Sequence, residues 1–187
     1  MSGAPAASAP PKDYRLLVPR DWFRIDLTQD RWRGQLKTFV DFQAEGRNVP
    51  AEAQQEAWAT LRNTAEAGVA GGALEFFLRP ELSDGSIMPA SLIVSLVPRP
   101  GSLTPRDLLP VFEAEERDRG RASEVSVVEL PSGGAVRILT PATLDLYVHM
   151  PGAVGYLVLA FAVPLTGMRG PMHRLCTSIA ESLRWIM

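Results

Sequence analysis

The 187-residue sequence predicts an α+β domain, in which a mostly antiparallel sheet of six to eight strands is flanked by helices in an α/β/α sandwich. Three observations predict it: an uncharged run near the carboxyl end, an amphipathic segment directly after it, and a regular series of short strands and turns from residue 124. The remaining elements are assigned from local patterns and fit the same architecture.

The uncharged run extends from Val154 to Val163, and only Tyr156 within it has a polar tip. A strand with one face in water alternates polar and apolar residues, whereas a strand covered on both faces is apolar throughout. We therefore expect this run to be a central strand of the sheet.

The segment that follows predicts a terminal amphipathic helix lying across the sheet. Its apolar residues recur at helical spacing and form one stripe; they are Met172, Leu175, Cys176, Ile179, Ala180, Leu183 and Ile186.

At the other end of the chain, Tyr14 to Val18 and Trp22 to Leu27 predict two short strands separated by a turn. Alternation in the second strand predicts that Phe23, Ile25 and Leu27 face the core and that the residues between them face away.

Two helices are predicted next. Thr28 is the predicted N-cap of the first, and its inward stripe is Trp32, Leu36, Phe39, Val40 and Gln43. The second begins at Pro50 and ends at Gly68. Its narrow apolar face favours close packing and consists of Ala53, Ala57, Trp58, Leu61 and Ala65.

A hairpin and a third helix follow. Residues 73–79 and 90–97 are predicted strands, and residues 83–86 (SDGS) form a turn between them. The helix has Thr104 as its N-cap and Pro105 at its first position. Its inward residues are predicted to be Leu108, Val111 and Phe112, and it is predicted to dissolve into the mixed charges of residues 113–121 as a solvated end.

Four strands then form a predicted antiparallel meander over residues 124–130, 135–139, 144–150 and 153–163. Pro151 and Gly152 match the central pair of a type II turn, because proline presets the first φ and glycine tolerates the positive second φ.

The ends and the length of the chain predict its organisation. Residues 1–12 are mostly Ala, Pro and Ser, which predicts a disordered tail before a single domain over residues 13–187. No apolar run reaches the roughly 20 residues of a spanning helix, and the N-terminus lacks a secretory signal pattern. We expect a cytoplasmic protein, unless an N-terminal leader has been removed.

Charge and cysteine content exclude several classes of function. A formal net charge of −2 argues against nucleic-acid binding, which usually requires a basic excess, and against an anionic membrane surface. The single Cys176 excludes an intramolecular disulfide and a multi-cysteine metal site. The glycines of residues 68–72 lack the order of a nucleotide-binding loop. The sequence therefore predicts no catalytic residue, no metal site and no cofactor.

The most suggestive polar residues are Asp145, Tyr147 and His149, which alternation places on one face of a single strand. With Arg137 from the preceding strand, they could line a ligand pocket; the plainer alternative is a solvated or helix-covered strand face. Asp145 and His149 cannot form a catalytic pair with each other, since roughly 13 Å of strand separates them.

Two residues near the carboxyl end allow a functional and a structural interpretation. Cys176 lies three residues after His173, but a thiol on a core-facing stripe loses solvation and is a poor nucleophile, so core packing is the favoured interpretation. Trp185 is a candidate anchor for a protein partner if the end of the chain leaves it exposed.

The order of predicted elements, with the stretches PRDWFRIDL and VLAFAVP followed by SIAESLRW, resembles the PsbP/Mog-like superfamily. The resemblance covers most of residues 14–187 in pattern. It implies an antiparallel sheet sandwiched by helices in a protein that binds other proteins without catalysis. No functional residue is carried over, because no binding motif of that family is matched here.

These observations lead to two functional hypotheses and one on assembly. The first is a non-enzymatic adaptor, chaperone or assembly factor that binds a protein partner. The second is a small-ligand-binding protein or enzyme with a polar pocket around Asp145, Tyr147 and His149. Self-association as a homodimer, through an edge strand or the terminal helix, is the third hypothesis.

Overall fold

The computed structural model describes residues 9–81 and 87–187. It is an α+β fold built on a seven-stranded antiparallel sheet with strand order β2-β3-β4-β8-β7-β6-β5. The strands are β1 (Asp13–Arg15), β2 (Phe23–Asp26), β3 (Ala73–Arg79), β4 (Ala90–Pro98), β5 (Glu124–Leu130), β6 (Gly133–Leu139), β7 (Thr143–His149), β8 (Gly155–Ala162) and β9 (Arg184–Ile186). The helices are α1 (Trp32–Ala44), α2 (Ala51–Ala70), α3 (Pro105–Arg119) and α4 (Gly170–Glu181).

The uncharged run forms β8, which lies between β4 and β7 at the centre of the sheet. Leu159 pairs with Val94 on one side and with Leu146 on the other, and all three side chains are buried. The expected central strand is confirmed.

Helices cover both faces of the sheet. On one face, here called the α4 face, α4 packs over the inward residues of β4, β7 and β8. On the opposite face, the α1–α3 face, α1 and α2 cover β2 and β3, and α3 covers β5, β6 and β7. The predicted sheet flanked by helices is therefore confirmed.

The predicted meander is also confirmed, since β5, β6, β7 and β8 pair successively with their neighbours. Gly152 has φ 79° and ψ 6°, the geometry that the second central residue of a type II turn requires. The turn predicted between β3 and β4 lies outside the described residues.

The first helix begins at Trp32 and not after Thr28, as the sequence predicted. The backbone N–H and the hydroxyl of Thr28 both donate to Asp26 Oδ1, at 2.9 and 2.5 Å. Thr28 is therefore held in a side-chain-closed turn, and its oxygen does not cap a helix. The predicted inward stripe of α1 is correct, and each of its five residues is buried.

The terminal helix is shorter than predicted. It ends at Glu181, and Arg184–Ile186 forms β9, which pairs antiparallel with β1 in a separate two-stranded ribbon. Ile186 is consequently exposed and not part of the helical core stripe. The long-range partner strand overrides the local helical pattern, because pairing with β1 satisfies backbone groups that another helical turn would satisfy locally.

The side chains from Trp22 to Leu27 point to the core only partly as predicted. Ile25 and Leu27 are buried, but Phe23 is 40% exposed and Trp22 is 5% exposed. Trp22, which belongs to the other alternating set, packs against the core of the α4 face. A strand covered on both faces buries residues of both alternating sets, so alternation alone cannot identify the inward set.

The start of α3 is as predicted, and its end is not. Thr104 is the N-cap and its side chain accepts from the backbone N–H of Asp107. The helix continues to Arg119, whereas it was predicted to dissolve from residue 113. Residues 113–121 are exposed, as predicted for a solvated end, except Glu116, which is only 3% exposed. Val111 was predicted to face inward and is 45% exposed, whereas Leu108 is buried.

The N-terminal segment and α2 complete the description. Residues 1–8 of the predicted tail lie outside the described residues, and residues 9–12 contain no helix or strand. Lys12 donates its backbone N–H to the carbonyl of Ile186. In α2, Ala57, Leu61 and Ala65 are buried. Among the described residues, no helix combines the length and apolarity needed to cross a membrane.

Candidate functional site

The polar face of β7 lies beneath α3 and not in bulk water. Asp145, Tyr147 and His149 project from alternate positions of the strand on the α1–α3 face, as predicted. Asp145 lies between Ile138 of β6 and Ala160 of β8 in the sheet register. The three side chains are partly buried. The chemistry open to these three side chains therefore depends on their neighbours in α3 and in the loop before it.

Asp145 is the most desolvated carboxyl group of this face. Burial raises its pKa to about 6, and the nearby negative charge of Glu116 acts in the same direction. The guanidinium groups of Arg121 and Arg119 partly offset this rise. Asp145 is thus a carboxyl group that takes up a proton in mildly acidic solution.

Glu116 of α3 is the centre of a charged cluster that the sequence analysis missed. Its carboxylate accepts hydrogen bonds from Arg119 (2.8 Å) and Arg121 (2.5 and 2.7 Å). The hydrogen bond from Arg121 is the main cause of a Glu116 pKa near 2. A signal was present in the sequence, since Glu116 continues the inward spacing of Leu108 and Phe112 by one further turn.

The other two residues of the β7 face make separate contacts. The ring of Tyr147 packs on Phe112 of α3, with ring centroids 4.5 Å apart, and burial raises its pKa. His149 Nε2 lies 3.0 Å from the hydroxyl oxygen of Ser102, in the loop between β4 and α3. Ser102 is buried, so this pair braces the loop against β7. The three predicted residues therefore do not converge on one pocket.

Arg137 lies on the opposite face of the sheet from the three residues with which it was grouped. Its partner in the register is Leu146, whose side chain belongs to the α4 face. The Arg137 guanidinium hydrogen-bonds to Ser126 and forms an ion pair with Glu124. The structure does not bring Arg137 into the β7 site.

Trp185 and Cys176 take structural positions. Trp185 lies in β9, and its indole N–H donates to the carbonyl of Ser132 at 2.7 Å while its ring packs against the core of the α4 face. Cys176 is buried in α4, and burial raises its pKa to about 12. Within residues 9–81 and 87–187, no three His, Cys, Asp or Glu side chains are grouped so as to hold a metal ion.

An open groove of about 550 Å³ separates β1 from β2 and β3. Glu75 on its floor accepts a hydrogen bond from the Tyr14 hydroxyl and one from the Arg24 guanidinium. Asp26 is bonded to Thr28, as described above. These polar groups satisfy one another, whereas Arg15, which also lines the groove, has no ion-pair partner within 4 Å among the described residues.

The two edges of the sheet differ strongly. The β2 edge is four residues long and includes Arg24 and Asp26. The β5 edge is seven residues long, has the sequence EVSVVEL, and pairs with β6 in unbroken register. In the described part of the chain, no strand pairs with the outer side of β5, so alternate residues direct their N–H and C=O groups outward.

A charged cleft of about 360 Å³ lies beside the start of β5. It is lined by Glu113, Glu116, Arg117, Arg121, Ser123 and Val125. Arg121 is bonded to Glu116, whereas the side chain of Arg117 has no ion-pair partner within 4 Å among the described residues. Glu113 has none either, so the outer edge of β5 borders a cleft in which one cation and one carboxylate lack an ion-pair partner in the described part of the chain.

Comparison with known proteins gave no match to a family model, a curated protein or a solved structure.

Proposed function

We propose that this protein acts by binding a protein partner without catalysis, as an adaptor, chaperone or assembly factor, and that β5 is its binding edge. The observation that carries the proposal is the unprotected outer side of β5. Three of its seven residues are β-branched valines and none is proline, and the edge is neither bulged nor covered by another strand of the described chain.

Proteins usually protect an edge of this kind, because unpaired backbone groups in a straight strand are a template for another strand. The outward N–H and C=O groups of β5 supply directional hydrogen bonds, and its partly buried valines supply apolar contact. The occupant is an extended segment of the partner, added as an eighth strand of the sheet.

The polar groups beneath α3 support this proposal indirectly. Ser102 is buried and bonded to His149, and Tyr147 is stacked on Phe112. These side chains hold α3 and its preceding loop on the sheet next to β5. Their arrangement thus gives the binding edge a rigid support. The likeness to the PsbP/Mog-like superfamily stays a prediction.

The experiment compares proteins captured from an extract of the native cell. The tagged protein is used unchanged, as Val127→Lys at the centre of β5, and as Val69→Lys in the last turn of α2. Both valines have partly or fully exposed side chains, and the second lies far along the sheet from β5. Lysine in an edge strand opposes strand addition. Val127→Lys should lose captured proteins that the other two retain.

Identical captured proteins for Val127→Lys and the unchanged protein would overturn the proposal. Circular dichroism and melting temperature must show that both variants fold, so that a lost partner reports the edge. If Val127→Lys does not fold, Glu129→Lys, at an exposed position of the same strand, replaces it.

The second candidate is a small-ligand site or active site on the β7 face. It is favoured by the Ser102–His149 hydrogen bond of 3.0 Å, which has the geometry of a hydroxyl next to a base. Turnover or ligand binding that His149→Gln abolishes and Val111→Ala leaves intact would establish it. No activity in a broad substrate screen would leave the first proposal as the sole account.

A further inference from the structure

We propose that the segment added at β5 is the β5 strand of a second copy of this chain, so that two sheets join into one continuous antiparallel sheet of fourteen strands. This inference rests on the proposed binding function of β5 and identifies the partner.

The strand is complementary to itself in one register. If a twofold axis passes through Val127, all seven residues have partners, and the α1–α3 faces of both copies lie on the same side of the joined sheet. Glu124 then lies opposite Leu130, and Glu129 lies opposite Val125. No glutamate is opposite another glutamate, so the register avoids repulsion between like charges.

The charges beside the strand favour the same register. Val125 lines the cleft that also contains Arg117 and Arg121. Because Glu129 of the second copy lies opposite Val125 on the same face, its carboxylate comes beside this cleft, which also contains Glu113 and Glu116. The proposed contact of this carboxylate is with Arg117. Within the described residues Glu129 has no ion-pair partner in its own chain, and neither has Arg117. The twofold axis makes this contact twice.

The opposite face of the joined sheet is also compatible. Glu124 is already neutralised there by Arg137 of its own chain. Ser126 lies opposite Val128, a small pair that brings no charge into the seam. The added strand therefore buries no unpaired ion on either face.

Cysteine cross-linking tests the register directly. The only natural cysteine, Cys176, is buried, so a cysteine introduced in β5 supplies the accessible thiol. In the proposed register, residue 127 of one copy lies directly opposite residue 127 of the other. The distance between their two Cα atoms is then within the range that a disulfide spans. With oxidised glutathione as the two-electron acceptor, Val127→Cys should form a covalent dimer. Glu129→Cys alone should not, because its partner is Val125, whereas Val125→Cys combined with Glu129→Cys should.

A charge exchange provides the second test, in the protein without added cysteines. Glu129→Lys and Arg117→Glu should each weaken the dimer about tenfold in sedimentation experiments, since each change replaces two attractions by two repulsions. The double variant should recover the original association. If the double variant instead associates more weakly than either single variant, the two losses of affinity are independent, and the proposed contact is contradicted.

The outcomes separate this inference from the proposed function. If Val127→Cys forms no disulfide and the protein is monomeric at all concentrations, the second copy is excluded. If Val127→Lys nevertheless loses captured proteins, β5 binds a different chain and the proposed function stands. If Val127→Lys changes neither association nor capture, both are overturned.

Discussion

The two edge strands of the sheet differ in how well they are protected against the addition of another strand. The β2 edge is short and charged, and the floor beside it carries Glu75, which is bonded to Tyr14 and Arg24. The β5 edge is longer and rich in valine, and its own charged residues, Glu124 and Glu129, lie towards its two ends. Charge at β2 opposes strand addition, whereas β5 lacks this protection along its centre.

Both edge strands are held through the central strand β8. Of the changes considered, truncation of a buried side chain in β8 should therefore lower the free energy of unfolding most. Leu159 is fully buried between β4 and β7, so Leu159→Ala should lower the free energy of unfolding by about 3 to 4 kcal/mol through lost contacts and a cavity. Urea unfolding measures it. Exposed Val69→Ala in α2 is the control, and a loss below about 1 kcal/mol for Leu159→Ala would contradict the central position of β8.

Asp145→Asn should stabilise the β5 side of the sheet at neutral pH. The pKa of Asp145 in the folded state is about 6, above its ordinary value, so the folded state binds the proton more tightly. The associated stability is present below about pH 4 and is lost as the pH rises through 6, an effect of about 3 kcal/mol.

The variant removes this titration, and melting curves from pH 4 to 7.5 measure the result. Asp145→Asn should be more stable than the unchanged protein at pH 7 by about 2 kcal/mol, with the difference shrinking towards pH 4. Asp118 is exposed, so Asp118→Asn is the control, and its melting temperature should equal that of the unchanged protein at each pH. Parallel curves for Asp145→Asn would show that Asp145 is not desolvated.

Glu116→Gln should weaken the attachment of the end of α3 beside β5. The change removes the carboxylate that accepts from Arg119 and Arg121, and charged hydrogen bonds of this kind contribute about 1 to 3 kcal/mol. We expect a loss of about 2 kcal/mol in urea unfolding at pH 7. The exposed Glu115→Gln is the matched control, because it lies one residue away on the same helix. Equal losses for the two variants would contradict the central role of Glu116.

Tyr14→Phe should have the smallest effect, at the β2 side. It removes the hydroxyl that donates to Glu75, while Arg24 still bonds that carboxylate, so the expected loss is about 1 kcal/mol. Its association behaviour should equal that of the unchanged protein, since we propose β5, and not β2, as the binding edge. Altered association of Tyr14→Phe in sedimentation would show that the β2 side contributes.

The sequence predicted elements that depend on local patterns. The meander over residues 124–163 was predicted because turns and apolar runs alternate regularly there, and Thr104 was identified because its capping pattern is local. By contrast, β9 depends on pairing with β1, which is about 170 residues away in the chain. No local pattern at Arg184–Ile186 contains that information.

The candidate site shows the same limit of local reasoning. Alternation correctly placed Asp145, Tyr147 and His149 on one face, because it operates within one strand. It could not place Arg137, since the register between β6 and β7 sets Arg137 opposite Leu146 and therefore on the other face. The contact between His149 and Ser102 was likewise hidden, because it joins a strand to a loop 47 residues earlier.

The most direct measurement of the central claim is amide hydrogen exchange along both edge strands over a range of protein concentrations. If β5 joins to a second copy, alternate amides of residues 124–130 should become protected as the concentration rises, while those of β2 exchange at a constant rate. Unchanged exchange in β5 at every concentration, or equal protection of β2, would contradict the account.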